Sequence, residues 1–150
     1  MMTRVGLHKE RRVTTAKILL AIAVAWGFVF IGIKFWPSPL LKVRITVPKD
    51  GARVGRALTV KGTLSDPQAR LYLIVKPFSD RRYWWVQAPV KSGARWKATA
   101  ILGGEREGIG EKFSLFVLGS YRPLNLLPGA IDEIPTSDAI SNKIVVKRVR

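Results

Sequence analysis

The sequence contains no cysteine, one histidine and only ten acidic residues in a chain of 150. The absence of cysteine excludes a disulfide scaffold, thiolate metal sites and thiol chemistry. The one histidine, His8, lies in the N-terminal tail, so a nucleophile elsewhere would need a lysine or a carboxylate as its base. The carboxylates are scattered and follow no metal-binding loop pattern. We therefore expect a protein that is not an enzyme and that binds no metal and no cofactor.

Positive charge dominates what the sequence does contain. There are 26 Lys and Arg residues and a net charge of +16, and 47% of the residues are hydrophobic, too many for a disordered basic tail. From Lys34 onward 21 basic residues stand against 9 acidic ones, a balance of +12, whereas small soluble domains typically carry about 2–8. Such a field attracts anionic lipid head groups, acidic envelope polymers, nucleic acid or an acidic protein surface. Nucleic acid is the weakest candidate, because no recognition helix or RNA-binding motif is present.

One hydrophobic run is long enough to cross a membrane. Residues 18–33 contain no charge, Lys34 to Trp36 extend the run, and Pro37 ends any helix. Nineteen residues at 1.5 Å each reach about 28 Å, close to the thickness of the hydrocarbon core. The sequence therefore predicts a transmembrane helix over residues 18–36, with Lys17, Lys34 and Trp36 at the membrane interfaces.

The alternative is a cleaved signal peptide, because Ala23-Val24-Ala25 fits a small-residue cleavage site. The apolar run continues well past Ala25, as in an uncleaved anchor, and this favours the transmembrane interpretation. The short basic tail of residues 1–17 favours a cytoplasmic N-terminus. We therefore expect a single-pass protein whose C-terminal domain is periplasmic or extracellular.

The rest of the chain has the pattern of a small all-β domain. Residues 37–41 form a Pro-containing linker, and residues 42–150 are long enough for one sandwich with its own core. Short alternating or apolar runs separated by turn residues predict seven strands, at 42–47, 57–64, 70–76, 83–87, 96–102, 112–118 and 143–149. A long Pro-containing connection spans residues 121–142, with a helical turn expected at 136–140. The expected fold class is mainly β, a seven-stranded sandwich preceded by one transmembrane helix.

Several segments resemble the immunoglobulin-like modules of prokaryotic surface and envelope proteins. The opening resembles them at Ile45-Thr46-Val47, at residues 51–54 and at residues 58–63, and the later part at residues 84–87 and at residues 93–96. The resemblance covers roughly residues 43–119 and implies an immunoglobulin-like sandwich in an extracytoplasmic setting. It implies no chemistry, because such modules bind, space or scaffold.

Aromatic residues on neighbouring strands suggest a binding surface. If Trp84 and Val86 face the core, alternation directs Trp85 outward. Aromatic and Arg side chains are enriched in interface cores. The expected partner-binding residues are Tyr72, Ile74, Arg81, Arg82, Tyr83, Trp85 and Phe116. The alternative, that the connection at 121–142 folds over this face, stays open at this point.

Together these features predict an accessory or scaffolding subunit that docks on another membrane protein within a larger complex. One alternative is an envelope protein that binds acidic polymers or carbohydrate through aromatic and basic side chains. A cytoplasmic-facing domain on nucleic acid would require the opposite topology.

Overall fold

Ten β-strands make up the regular structure of residues 40–150, the part of the chain that the computed structural model describes. These residues form one compact unit, which begins two residues before the boundary expected from the sequence. The strands are β1 (Val43–Val47), β2 (Arg53–Val54), β3 (Ala57–Leu64), β4 (Arg70–Pro77), β5 (Trp84–Val86), β6 (Arg95–Ile101), β7 (Lys112–Ser120), β8 (Gly129–Ile131), β9 (Ala139–Ile140) and β10 (Ile144–Arg148).

The strands form two sheets of unequal width. Sheet A has three antiparallel strands in the order β1-β3-β6. Sheet B has the order β2-β10-β7-β4-β5-β8, with β9 also paired to β7. Within sheet B, β2 runs parallel to β10 and the other pairs are antiparallel. The architecture is therefore a β-sandwich, mainly β as the sequence predicts.

The main core lies between the two sheets. Burial alternates strictly along β3, so that Leu58 and Val60 point inward while the intervening residues face solvent. Sheet B contributes Leu73 and Phe113, each at most 1% exposed. Burial of side chains of this size stabilises the fold by about 1.5–3 kcal/mol each. Leu41, expected in the linker, also belongs to this core.

A tight backbone contact in sheet A requires glycine. Gly62 of β3 lies against the indole of Trp96, and a Cβ at this position would overlap both the indole and the Arg44 carbonyl. The indole Nε1 donates a hydrogen bond to the Thr63 carbonyl at 3.2 Å. The absent side chain therefore creates the space in which Trp96 becomes 98% buried.

The outer face of sheet B carries a second apolar cluster. Ile74, Val86, Phe116 and Leu118 are buried there, and residues of the long connection pack against them. Strand β7 is consequently buried at every position after Lys112, because it has a core on each side. The connection at 121–142 thus forms a third layer over part of the sandwich.

The observed strands confirm the seven predicted strand positions to within about two residues and add three short ones, β2, β8 and β9. The helical turn expected at 136–140 is wrong, because residues 139 and 140 form β9, which pairs with β7. Within residues 40–150 the structure contains no helix able to span a membrane. The predicted transmembrane helix at 18–36 lies outside the described residues.

Candidate functional site

The side of the sheet occupied by Trp85 differs from the expectation. In the register of β4 and β5, Trp85 lies opposite Val75 and Val86 lies opposite Ile74. Val75 belongs to the core between the sheets, whereas Ile74 and Val86 belong to the outer cluster. Directly paired residues share a face of a sheet. Trp85 therefore projects from the inner face of sheet B, and the predicted assignment of Trp84 and Val86 to the inner face is wrong.

The aromatic residues expected on an open outer face are covered. Tyr72 is half-buried, and Ile74 and Phe116 are at most 7% exposed. Trp84 joins this group in place of Trp85, with its ring 5.4 Å from that of Phe116 in an edge-to-face arrangement. The structure thus brings Tyr72, Ile74 and Phe116 together as predicted, but inside the molecule.

The connection that covers this face is held by specific hydrogen bonds. The Leu124 amide donates to the Tyr72 hydroxyl at 3.1 Å. At the start of the connection, one oxygen of Asp138 accepts from the Ser120 hydroxyl at 3.0 Å and from the Tyr121 amide at 2.8 Å. Partial desolvation, together with the nearby carboxylates of Asp66 and Asp138, raises the pKa of the exposed Tyr121 phenol. These contacts answer the open alternative, because the connection does fold over the aromatic face.

Trp85 lines a cleft on the opposite side of sheet B. Sheet A has three strands and sheet B has six in its main path, so β5 extends beyond the area that sheet A can cover. The resulting cleft has a volume of about 500 Å³ and is lined by Trp85 and by Ile101 at the end of β6. Their exposed fractions are 42% and 44%. We refer to this concave surface, lined by Trp85, Ile101, Asp80, Glu107 and Glu111, as the Trp85 cleft.

The charged groups that line the Trp85 cleft are all acidic. Asp80, Glu107 and Glu111 line it, and no Lys or Arg does. Glu111 accepts a hydrogen bond from the Ser79 amide at 2.8 Å. Within residues 40–150 no acidic cluster has the arrangement of a metal site. The three carboxylates therefore make a negatively charged lining in a domain that is otherwise strongly basic.

Asp80 also fixes the loop that leads into β5. Its Oδ1 accepts hydrogen bonds from the amides of Arg82 at 2.9 Å and Tyr83 at 3.1 Å. These bonds, aided by the positive charges of Lys76 and Arg82, hold the pKa of Asp80 below its usual value. Asp80 is consequently a charged loop cap that faces the cleft.

The remaining predicted residues lie on this loop. Arg81 and Arg82 are exposed, and the Arg82 guanidinium lies 5.0 Å from the ring of the half-buried Tyr83. Of the predicted partner-binding residues, Arg81, Arg82 and Trp85 are exposed. The predicted membrane-interface residues Lys17, Lys34 and Trp36 lie outside the described residues.

A buried arginine positions the wall of the cleft that faces Trp85. Arg148 is 3% exposed, and its Nη1 donates to the carbonyls of Leu102 at 2.6 Å, Gly104 at 2.7 Å and Glu107. Its Nη2 donates to the Glu105 carbonyl at 2.8 Å. Four backbone carbonyls therefore converge on one guanidinium, which satisfies acceptors that the strand ladders leave free.

The backbone of this wall also requires glycine. Gly103 has a φ of +70°, and a Cβ there would lie 2.7 Å from the Glu107 carbonyl oxygen. Sequence reasoning missed Ile101, Glu107 and Arg148 as parts of this site. The available signal was the alternation in β10, which places Arg148 on the same face as the buried Ile144 and Val146.

Comparison with known protein families, with curated proteins and with solved structures finds no match to this chain.

Proposed function

We propose that this chain is a non-catalytic, single-pass membrane protein that docks on a partner as an accessory or scaffolding subunit of a membrane complex. The observation that carries this proposal is the Trp85 cleft, a concave surface with an exposed Trp and an exposed Ile inside an acidic lining. Trp is among the residues that dominate binding energy at protein interfaces, particularly in a pocket.

The strand order supports an immunoglobulin-like sandwich. A sheet of β1, β3 and β6 faces a sheet in which β10, β7, β4 and β5 are successive neighbours. The division of strands between two sheets and the exchange of consecutive strands across them are typical of immunoglobulin-like topology. The short β2, parallel to the last strand, extends the larger sheet at one edge. Such modules serve as binding scaffolds, and their function resides in surfaces such as the Trp85 cleft.

Charge and shape define the partner. The described residues contain 20 Lys and Arg against 9 Asp and Glu, yet the charged side chains that line the Trp85 cleft are all carboxylates. A matching partner would insert an apolar side chain against Trp85 and Ile101 and place a Lys or Arg beside Glu107. Arg81 and Arg82, on the neighbouring loop, would contact acidic groups at the edge of the same interface.

The membrane setting is part of the proposal and depends on the predicted helix at 18–36. The short linker that follows it would keep the sandwich near the membrane. The partner would then be a second membrane protein that exposes a matching surface there. The basic tail at 1–17 supports a cytoplasmic N-terminus and an extracytoplasmic sandwich.

The test is capture of partners by full-length protein in mild detergent, followed by mass spectrometry of what stays bound. The wild type is compared with Trp85→Ala, with Glu107→Lys and with Leu127→Ala. Leu127 is the matched control because it is 80% exposed and lies on the connection, away from the cleft. The Glu107 side chain is free to change, since Arg148 is bound by the Glu107 carbonyl and not by its carboxylate.

We expect one stoichiometric membrane partner that is retained by the wild type and by Leu127→Ala. Trp85→Ala and Glu107→Lys should each reduce its recovery at least about tenfold, the loss expected on removal of an interface anchor. Recovery of the protein alone, or a partner retained equally by all four proteins, contradicts the proposal.

A further inference from the structure

The outer face of sheet A is predominantly basic. Most side chains that point outward from its three strands are cationic or carry hydroxyl groups, and the exposed Val47, Ala57 and Ile101 lie at strand ends. Strands β1, β3 and β6 contain no acidic residue. Lys42 precedes β1, and Lys91 pairs with β6 through an isolated bridge. We call this surface the sheet A face; its members are Lys42, Arg44, Thr46, Thr59, Lys61, Thr63, Lys91, Arg95, Lys97 and Thr99.

The strand register concentrates the cations of the sheet A face. Lys61 lies directly opposite Lys97, and Lys91 flanks Lys97 on its other side. In the next row, Thr63 lies between Arg44 and Arg95. Like charges directly opposite each other destabilise a sheet. The arrangement is therefore unfavourable for the fold by itself and favourable for an anionic ligand.

Sheet B has a comparable row, in which Lys147 lies between Lys112 and Arg53, in a different setting. Adjoining loops there supply carboxylates: Glu111 precedes Lys112, and Asp50 accepts a hydrogen bond from the Val145 amide at 2.7 Å. The sheet A face has no such internal counter-charge. It also contains a shallow groove of about 320 Å³, lined by Lys61, Arg95 and Lys97 and by threonine side chains that can donate hydrogen bonds.

We propose that the sheet A face binds the phosphate head groups of anionic phospholipids in the bilayer that anchors the chain. This inference rests on the proposed transmembrane anchor. Lysine, arginine and hydroxyl side chains on a surface of this kind match phosphate oxygens, and clusters of Lys and Arg beside a membrane attract anionic lipids. The face carries no exposed aromatic residue of the kind that anchors protein interfaces, which favours a lipid surface over a protein partner.

Chain connectivity supports the same occupant. The described chain starts at Leu40, and β1, an edge strand of sheet A, begins at Val43. Residues 37–42 can span at most about 20 Å, because an extended chain advances about 3.3 Å per residue. An anchor that ends at Trp36 would therefore keep the first strand of this face within reach of the head groups.

The test measures acylation rates of individual lysines in full-length protein incorporated into nanodiscs. The nanodiscs contain phosphatidylcholine alone or phosphatidylcholine with added phosphatidylglycerol, and the modified peptides are quantified by mass spectrometry. We expect acylation of Lys42, Lys61, Lys91 and Lys97 to slow several-fold in anionic nanodiscs and to recover at high salt. Acylation of Lys112 and Lys147 on sheet B should change little, and these two lysines are the internal reference.

A pair of matched double variants tests whether the face is specific. In Lys61→Glu/Lys97→Glu, the lipid-dependent protection of Lys42 and Lys91 should disappear. In Lys112→Glu/Lys147→Glu, which reverses the same number of charges on sheet B, it should persist. Intrinsic Trp fluorescence in neutral nanodiscs, expected to match the wild type in both variants, shows that the fold is intact.

Equal acylation rates in neutral and anionic nanodiscs, or equal protection of the sheet B lysines, overturn the inference. The inference is also overturned if soluble dextran sulfate slows acylation of the sheet A lysines and phosphatidylglycerol does not. That result would assign the face to an acidic polymer. A chain that fails to incorporate into nanodiscs overturns the anchor and this inference with it. Partner capture that depends on Trp85 is measured separately, so failure of the lipid contact is distinguishable from failure of the docking proposal.

Discussion

Arg148 is the residue on which the shape of the Trp85 cleft depends most directly. Four carbonyls of the loop after β6 converge on its guanidinium. We expect Arg148→Met to lower the free energy of unfolding by about 2–4 kcal/mol, because buried carbonyls left without donors cost about 1–3 kcal/mol each and part of this loop can be rehydrated. The measurement is chemical denaturation followed by Trp fluorescence.

The control for this prediction is Arg150→Met, which removes an exposed guanidinium two residues further along the chain. It should change the free energy of unfolding by less than about 0.5 kcal/mol. Arg148→Lys should fall between the two, since an ammonium keeps the charge but cannot reach four carbonyls with a planar fork. A loss for Arg148→Met no larger than for Arg150→Met would show that the loop is held by other contacts.

Asp80 makes the loop before β5 sensitive to acid. The amides of Arg82 and Tyr83 donate hydrogen bonds to its carboxylate and lower its pKa below the usual value of an aspartate. The stabilisation is therefore fully present above this value and is lost as the pH falls through the lower pKa of the folded state. The protection factors of the Arg82 and Tyr83 amides, which compare exchange with the intrinsic rate at each pH, should fall in that acidic range. Asp80→Ala should show low protection factors at every pH, and wild-type protection factors that do not change with pH would contradict the assignment.

At the scale of the element, the connection at 121–142 is a covering layer, and the hydrogen bond at Tyr72 is one of its attachments to the sheet. The Tyr72 hydroxyl accepts a hydrogen bond from the Leu124 amide. Substitution by Phe removes this hydrogen bond and keeps the apolar contacts of the ring. Tyr72→Phe should therefore cost about 0.5–1.5 kcal/mol. It should also accelerate hydrogen exchange at Leu124 more than in the core strand β7. Uniform acceleration across both would mean that the connection unfolds only with the whole domain.

The difference between predicted and observed elements has a physical origin in this same layer. Strands with one solvent face, such as β3, alternate strictly and are predictable from sequence. Strand β7 is buried on both faces, so its pattern does not reveal which side faces the inter-sheet core. The predicted orientation of β5 is wrong for a similar reason. Its three residues are all apolar, so the pattern does not show that Trp84 and Val86 face the outer cluster. The short β2, β8 and β9 depend on tertiary pairing, and two or three residues carry too little pattern to predict them.

The candidate site was predictable only in part for a related reason. The exposure of Arg81 and Arg82 agrees with their predicted place in a loop, whereas the exposure of Trp85 was inferred from an assignment of Trp84 and Val86 to the inner face that the register of β5 contradicts. The cleft itself arises because sheet B is wider than sheet A, and strand partnering between distant segments is not encoded in any local pattern. The sheet A face is intermediate, since its alternating cations are visible in the sequence but the opposition of Lys61 and Lys97 requires the register.

At the scale of the whole molecule, the excess of positive charge should reduce the stability of the fold. Residues 40–150 carry 20 Lys and Arg against 9 Asp and Glu, a net charge of +11, and self-repulsion of this kind destabilises a compact state. Raising the ionic strength shortens the Debye length from about 30 Å at 0.01 M to about 10 Å at 0.1 M. The melting temperature of the full chain in a neutral detergent should therefore rise over this range.

The Lys61→Glu variant separates the contribution of the sheet A face from that of the overall charge. It converts the opposition with Lys97 into an opposite-charge pair, which should stabilise the fold by about 0.2–1 kcal/mol and make the melting temperature less dependent on salt. Lys143→Glu changes the net charge equally at an exposed position outside the paired register, and should have a smaller effect on stability. If Lys61→Glu stabilises the fold while weakening the lipid-dependent protection of Lys42 and Lys91, the charge pair costs folding stability and serves binding. If Lys61→Glu destabilises the fold, the lysine pair is part of the fold's own stabilisation, and the argument from unfavourable opposition fails.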